Sequence, residues 1–408
     1  MPRKTIVVLA TLDTKGPEAR YLAEQIKKLG HEPLIVDSGV VGTPGAEAAL
    51  TREQVAVAGG VPLADLLRNP DRAVSAPVMA AGATRLITTL VEQGRAQGIV
   101  SLGGTQGTTL STQVMRALPY GFPKVMVSTM ASGNVAPWVD VKDITMMFSV
   151  TDIMGLNPMM RKILANAAGA VCGMVDVDVS IESKRDRPLI AITTVGITTQ
   201  GAMTAVRVLE ESGYETIVFH AIGPGGRAME QMMKEGIVGA VLDYSIIEVS
   251  NEMFNALLAG GPERLTTAGK LGIPQVISPG AIEVLVFNEP ETVPAKYRER
   301  TLIRHSPQIT DVRLNKAEMA EVGAEVGRRL QHTTKSAVFM IPTAGYDSYA
   351  VKGRGFYDPD ADSAFVSALR ENAPACVRIV ERNLHIEQPD FAIEAARTLI
   401  TLIEDQKA

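Results

Sequence analysis

Thr5-Ile-Val-Val-Leu-Ala10, Thr11-Leu-Asp-Thr-Lys-Gly16 and Pro17-Glu-Ala-Arg20 follow one another without a break, and their reading decides the fold class. The first piece is continuously apolar, as in a strand buried on both faces. Pro17 stands where a helix favours proline, at its first position. Ala19, Leu22, Ala23, Ile26 and Leu29 then recur at helical spacing, and Gly30 supplies the stop. Glu32–Asp37 reads as a second strand. Strand, helix and strand in this order make a βαβ unit, and hence a parallel sheet.

Working outward, the same rhythm predicts a helix over Pro77–Gln97, a strand at Gly98–Leu102 and a glycine turn at Gly103–Gly107. A helix over Thr108–Leu118, strands at Lys124–Ser128 and Thr145–Phe148, and a helix over Asn157–Asn166 follow. Val175–Pro188 is charged and loses its periodicity; it holds Lys184, Arg185 and Arg187, interrupted by Asp186. It reads as the boundary between an N-terminal domain, residues 1–178, and a C-terminal domain, residues 188–408. There the pattern restarts with strands at Leu189–Thr194, Glu215–His220 and Gly239–Asp243, and helices at Ala202–Ser212 and Gly226–Lys234. Further strands are expected at Gln275–Ser278, Glu283–Phe287, Ala337–Ile341 and Val377–Val380, with a closing helix over Asp390–Glu404.

The halves echo each other. Thr14-Lys15-Gly16 has its counterpart in Thr199-Gln200-Gly201, and Gly121-Phe-Pro-Lys-Val125 in Gly272-Ile-Pro-Gln-Val276. The expected fold is therefore α/β, with two Rossmann-like parallel-sheet domains related by internal duplication. The length agrees: 408 residues exceed what one core serves, ~250–300 residues.

Composition excludes several function classes. The net charge is −5, from 40 basic and 45 acidic side chains of interspersed sign, with no dense basic stripe for nucleic acid. No stretch reads as a membrane span of ~18–20 apolar residues, and the run at Thr5–Ala10 is too short for a signal-peptide core. The expected location is the cytoplasm. Cys172 and Cys376 lie alone in apolar stretches, outside any metal or disulfide spacing.

Ligands of open parallel sheets gather at the carboxyl ends of the strands, where the strand order reverses. Four N-terminal loops fall there: Asp13, Thr14 and Lys15; Ser38 and Gly39; Gly103, Gly104, Thr105, Gln106, Gly107 and Thr108; and Ala131, Ser132, Gly133 and Asn134. Glycines let backbone approach a ligand, and a helix start offers free N–H groups to phosphate. The loop lacks the Walker lysine and is not G-x-G-x-x-G. Lys15 and Arg85 are candidate cations, and Asp13 a candidate to hold Mg²⁺ through water. Each also reads as an ordinary turn, cap or solvated charge.

The C-terminal half offers a second set. His220, Asp243 and His305 are candidate acid–base residues; Gly196, Thr198, Thr199, Gly225, Gly226, Ser278, Gly280 and Asp347 are candidates for binding a small organic acid. No closed metal motif and no Gly-x-Ser-x-Gly elbow is present.

Ala10-Thr-Leu-Asp-Thr-Lys-Gly16, Gly103-Gly-Thr-Gln-Gly-Thr108, Ala131-Ser-Gly-Asn134, Pro342-Thr-Ala-Gly-Tyr-Asp347 and His385-Ile-Glu-Gln-Pro-Asp390 carry a family resemblance. Together they resemble the N-terminal ATP-binding domain of the tomato protein that confers resistance to a tobamovirus, over Lys4 to about Thr401. The resemblance implies two Rossmann-like subdomains, ATP in the first, and a homodimer. The plant protein continues into a TIM-barrel-like domain, which implies here a separate TIM-barrel-like partner or none. Three readings stand open: an ATP-using enzyme acting on a small anionic metabolite, a nucleotide-sensing interaction module, or a nucleotide-independent lyase or hydrolase of a β-keto acid working in the C-terminal cleft.

Overall fold

The structure is a computed structural model that describes residues 2–68, 71–179, 181 and 187–406. Lys184, Arg185 and Asp186 of the basic cluster lie outside the described residues. The chain divides into two compact units, Met1–Ser180 and Ile181–Ala408.

The first unit carries β1 (Thr5–Ala10), β2 (Glu32–Asp37), β3 (Gly98–Gly103), β4 (Lys124–Ser128) and β5 (Thr145–Phe148). They form one parallel sheet in the order β2-β1-β3-β4-β5. The continuous apolar run of β1 now has its reason. Ile6 and Val8 face the core under helices Leu12–Lys28 and Pro158–Asp176, while Val7 and Leu9 face the opposite core. That second core holds Val55, Met79, Ile87 and Val114 from helices Arg52–Ala58, Arg72–Glu92 and Thr105–Arg116.

Several boundaries differ from the sequence reading. The first helix begins at Leu12 rather than Pro17, and a break at Lys15 (φ −126°, ψ 19°) separates its opening turn from the rest. The helix expected from Pro77 begins at Arg72, because the Asp71 carboxylate caps the Ala73 amide at 2.8 Å. It ends at Glu92, since Gln97 is already at the sheet edge, accepting from the Thr5 amide at 2.8 Å. Helix Ala73–Glu92 is also long and apolar enough to cross a membrane, contrary to the expectation that no stretch is. Met79, Ala83, Ile87 and Leu90 bury it in the core of the unit. Helix Pro158–Asp176 outruns its expected end at Asn166.

The second unit carries β6 (Leu189–Thr194), β7 (Thr216–His220), β8 (Val238–Ser245) and β9 (Gln275–Gly280), then β10 (Val284–Phe287), β11 (Leu302–Ser306) and β12 (Ile309–Arg313), then β13 (Ala337–Pro342) and β14 (Val377–Arg382). Six of them form a parallel sheet, β14-β13-β9-β8-β6-β7. Counting only these six in chain order, the sheet reads from the β7 edge as second, first, third, fourth, fifth, sixth. The first five places repeat the first unit, as a duplicated fold requires. The repeat is elaborated between β9 and β13 by an antiparallel sheet, β10-β12-β11, which the sequence reading missed.

Candidate functional site

In the first unit the strand order reverses between β1 and β3, so the loops that follow these strands flank one crevice. Asp37, at the end of β2, organises it: its Oδ1 accepts from the Leu12 amide at 3.0 Å and the Gly39 amide at 2.8 Å. Desolvation pushes this carboxyl above its ordinary range, against the pull of those two amides. Ser38 and Gly39 are thereby drawn against the loop after β1. A Cβ on Gly39 would lie 3.1 Å from the Asp13 carboxylate. Asp13 Oδ1 is buried without a hydrogen-bond partner among the described residues. Thr14 pairs its hydroxyl with that of Thr11 at 3.0 Å, and the Lys15 ammonium donates to the Ile153 carbonyl.

The glycine stretch is shorter as a loop than expected. β3 runs through Gly103, Gly104 is the N-cap, and the helix starts at Thr105 instead of Thr108. Gly103 permits this sharp passage: a Cβ there would come within 2.8 Å of Gly107 Cα. Gly104 offers no side-chain cap, so the amides of Thr105, Gln106 and Gly107 open the helix uncapped. Thr108 is buried, its hydroxyl 2.8 Å from the Gly104 carbonyl and 2.7 Å from Ser128 Oγ, and is spent on the fold. The loop holding Ala131, Ser132, Gly133 and Asn134 stands beside it, tied by the Thr129 amide to the Gly103 carbonyl at 3.3 Å. Asn134 caps the Ala136 amide at 3.1 Å. Arg85 is not brought here. It lies exposed on helix Arg72–Glu92, roughly 20 Å along the axis from the first residue, and no side-chain bond among the described residues ties it to the crevice loops.

The second unit disposes of its candidates differently. Asp243 is committed to Arg264, with Oδ2 2.5 Å from Nη1 and Oδ1 2.6 Å from Nη2, and it accepts the Thr193 hydroxyl at 2.7 Å. Arg264 is fully buried and also meets Glu248 at 2.7 Å and Glu230 at 3.5 Å. Burial pushes the Glu230 and Glu248 carboxyls up while Arg264 pulls them back. Glu248 Oε1 accepts from the Gly223 and Gly226 amides at 2.6 and 3.0 Å. The glycine-rich helix start read as a substrate loop is thus capped by the protein's own carboxylate. A Cβ on Gly226 would collide with it, and one on Gly225 would collide with the His220 carbonyl. Thr198 and Thr199 spend their hydroxyls on Ser245 Oγ (2.6 Å) and the Val195 carbonyl (2.9 Å). Gly280 packs on the Tyr244 carbonyl, and Ser278 is wholly buried.

Gly196, His220 and His305 do come together. They line a cavity of about 160 Å³ at the carboxyl ends of β6 and β7, roofed by the antiparallel sheet. Its walls are otherwise aliphatic, except for Asp311 of β12. His305 Nδ1 lies 2.9 Å from the Tyr349 hydroxyl and 3.8 Å from Asp311 Oδ2. Burial alone pushes Asp311 up to about 7. Asp347 stands beneath this corner, its Oδ1 accepting the Tyr349 and Ala350 amides at 2.7 and 2.9 Å. It is fully buried beside Glu283; desolvation pushes both carboxyls up, Asp347 to about 7. Asp37, Asp311 and Tyr349 were missed in the sequence. A carboxylate at the end of the apolar run Leu34–Val36 was the signal available for Asp37; Asp311, between Thr310 and Val312, had none.

Comparison with known proteins gives the same division. Residues 4–180 match the N-terminal domain, and residues 187–403 the C-terminal domain, of the Uncharacterised protein family (UPF0261). A UPF0261 protein of Clostridium tetani is 41% identical over 98% of this chain and 99% of its own. The ToMV susceptible protein tm-1(GCR26) of Solanum lycopersicum is 28% identical over 95% of this chain, which spans 54% of the tomato protein. Among solved structures, the UDP-GlcNAc 2-epimerase of Neisseria meningitidis aligns over 67% of this chain and 82% of its own. With 9% identity and a TM-score of 0.23, that likeness bears on nothing further. By both of its halves and by its relatives, the chain belongs to the UPF0261 family.

Proposed function

We propose that the N-terminal unit binds ATP, with the phosphates at the Thr105, Gln106 and Gly107 amides. The observation that carries this reading is the uncapped start of helix Thr105–Arg116 in the crevice between the ends of β1 and β3. Open amides and a positive dipole end favour a polyanion there. The buried, unpartnered Asp13 Oδ1 suits a water-held Mg²⁺ accompanying the phosphates. The family resemblance of these same loops also points to ATP.

Calorimetric titration with Mg-ATP tests this, using the unmutated protein and Gly104→Val. Gly104 has extended backbone, and a Cβ there would find only Thr129 Oγ1, at 3.9 Å. The fold therefore accepts the substitution while the valine shields the amides. Binding lost in a folded Gly104→Val protein supports the site. Binding unchanged by the substitution moves the nucleotide elsewhere, and no binding to the unmutated protein ends the reading.

A further inference from the structure

The cavity of the second unit has a polar corner that the fold itself does not consume. Asp311 is nearly buried, with a side chain 6% exposed, and its carboxylate makes no hydrogen bond among the described residues. Its nearest polar neighbour is His305, 3.8 Å away, and that imidazole is already engaged by the Tyr349 hydroxyl. A buried carboxyl left in this way has hydrogen-bonding capacity to offer. We propose that the C-terminal unit binds a small uncharged carbonyl or hydroxyl compound, its apolar body in the aliphatic chamber and its oxygen at Asp311 and His305.

Size, wall and corner each narrow the ligand. A cavity of about 160 Å³ is close to one of ~150 Å³ that takes benzene, which suits a body of about six heavy atoms, with the mouth open at the exposed His220 and His305. Ile197, Ile247, Val284, Val286 and Ile309 present no hydrogen-bonding side chain, so a second polar group on the body would be desolvated without compensation. A carboxylate ligand would face the Asp311 carboxyl. An ammonium ligand would pair with Asp311 only as its carboxylate, and the desolvation of both charges opposes that pair. A carboxyl held near neutrality, by contrast, both donates to a carbonyl and accepts from a hydroxyl. Asp347 positions the corner by fixing the turn that presents Tyr349. This site is separate in place and in chemistry from the nucleotide crevice, and neither reading depends on the other.

The test uses the full chain and four probes of matched size: cyclohexanone, benzyl alcohol, benzoate and benzylamine. The chain has five histidines, so ring resonances of His220 and His305 can be assigned and followed. Cyclohexanone and benzyl alcohol are expected to shift both, and the charged probes to bind at least tenfold more weakly. Leu258→Trp, at a half-buried wall position, is expected to abolish the shifts. Asp311→Leu is expected to weaken binding about tenfold, the loss of one hydrogen bond in a buried site, and Asp311→Asn to restore it to within about threefold. The proposal is overturned if neither neutral probe moves His220 or His305 in the unmutated protein. It is equally overturned if a charged probe binds more tightly, or if Asp311→Leu binds as the unmutated protein does.

Discussion

The two units share a strand order and part company after their third strands. In the first, β3 ends in Gly103-Gly104 and opens helix Thr105–Arg116 with its amides uncapped. In the second, β8 leads through Ile246 into the short helix Ile247–Met253, and its Glu248 reaches across to the amides of Gly223 and Gly226. One copy leaves a helix N-terminus uncapped, and the other fills one with a carboxylate of its own. A glycine-rich strand-to-helix passage is thus two different objects, depending on whether an internal acid reaches it.

The sharpest way to break this contrast is to remove the cation that makes the internal acid tolerable. Arg264→Leu strands Asp243, Glu248 and Glu230 in the interior and is expected to cost about 3–5 kcal/mol. Denaturant unfolding followed by hydrogen exchange should show the loss confined to Ile181–Ala408. A loss spread evenly over both units would contradict the self-contained network.

Acidity separates the units next. Asp311 and Asp347 are raised to about 7 and Asp362 to about 6, against an ordinary 3.8. Between pH 4 and 7 the folded unit keeps protons that the unfolded chain has released. The share of its stability that these three carboxyls contribute is therefore full below pH 4 and falls as pH rises toward 7, by a few kcal/mol in order of magnitude. Unfolding midpoints of the second unit measured from pH 4 to 8 check the sign. Asp311→Asn should flatten the slope, and an unchanged slope in that variant would remove Asp311 from the account.

Two glycine substitutions sharpen the contrast at smaller scale. Gly226→Ala drives a methyl into the Glu248 carboxylate and is expected to cost about 2 kcal/mol. Gly104→Ala meets open space and should stay within ~0.5 kcal/mol. Equal costs in a thermal melt would mean that the two helix starts are built alike after all.

The sheets were legible because a strand buried on both faces must be apolar at every position, as Ile6–Leu9 and Ile190–Ile192 are. The antiparallel sheet was not. Leu302–Ser306 and Ile309–Arg313 mix apolar and charged residues over short spans, and Pro307-Gln308 between them is no strong hairpin signal. Of the candidate site, the crevice loops could be placed from strand ends alone. The commitment of Asp243 to Arg264 could not, since it pairs residues far apart in sequence through a buried side chain with no pattern around it. The start at Thr105 escaped for the opposite reason: it has no capping residue, and its two glycines read as loop.

The antiparallel sheet is one uninterrupted piece of chain, running from β10 to β12 between two strands of the parallel sheet. It nevertheless supplies Val284, Val286, His305, Ile309 and Asp311 to the cavity wall. Five of the twelve residues of that wall are therefore carried on one continuous stretch of chain. Leu285, Phe287 and Val312 of the same stretch are buried with Ile277 and Phe339 of the parallel sheet, so its cavity-facing positions alone stand free of that shared core.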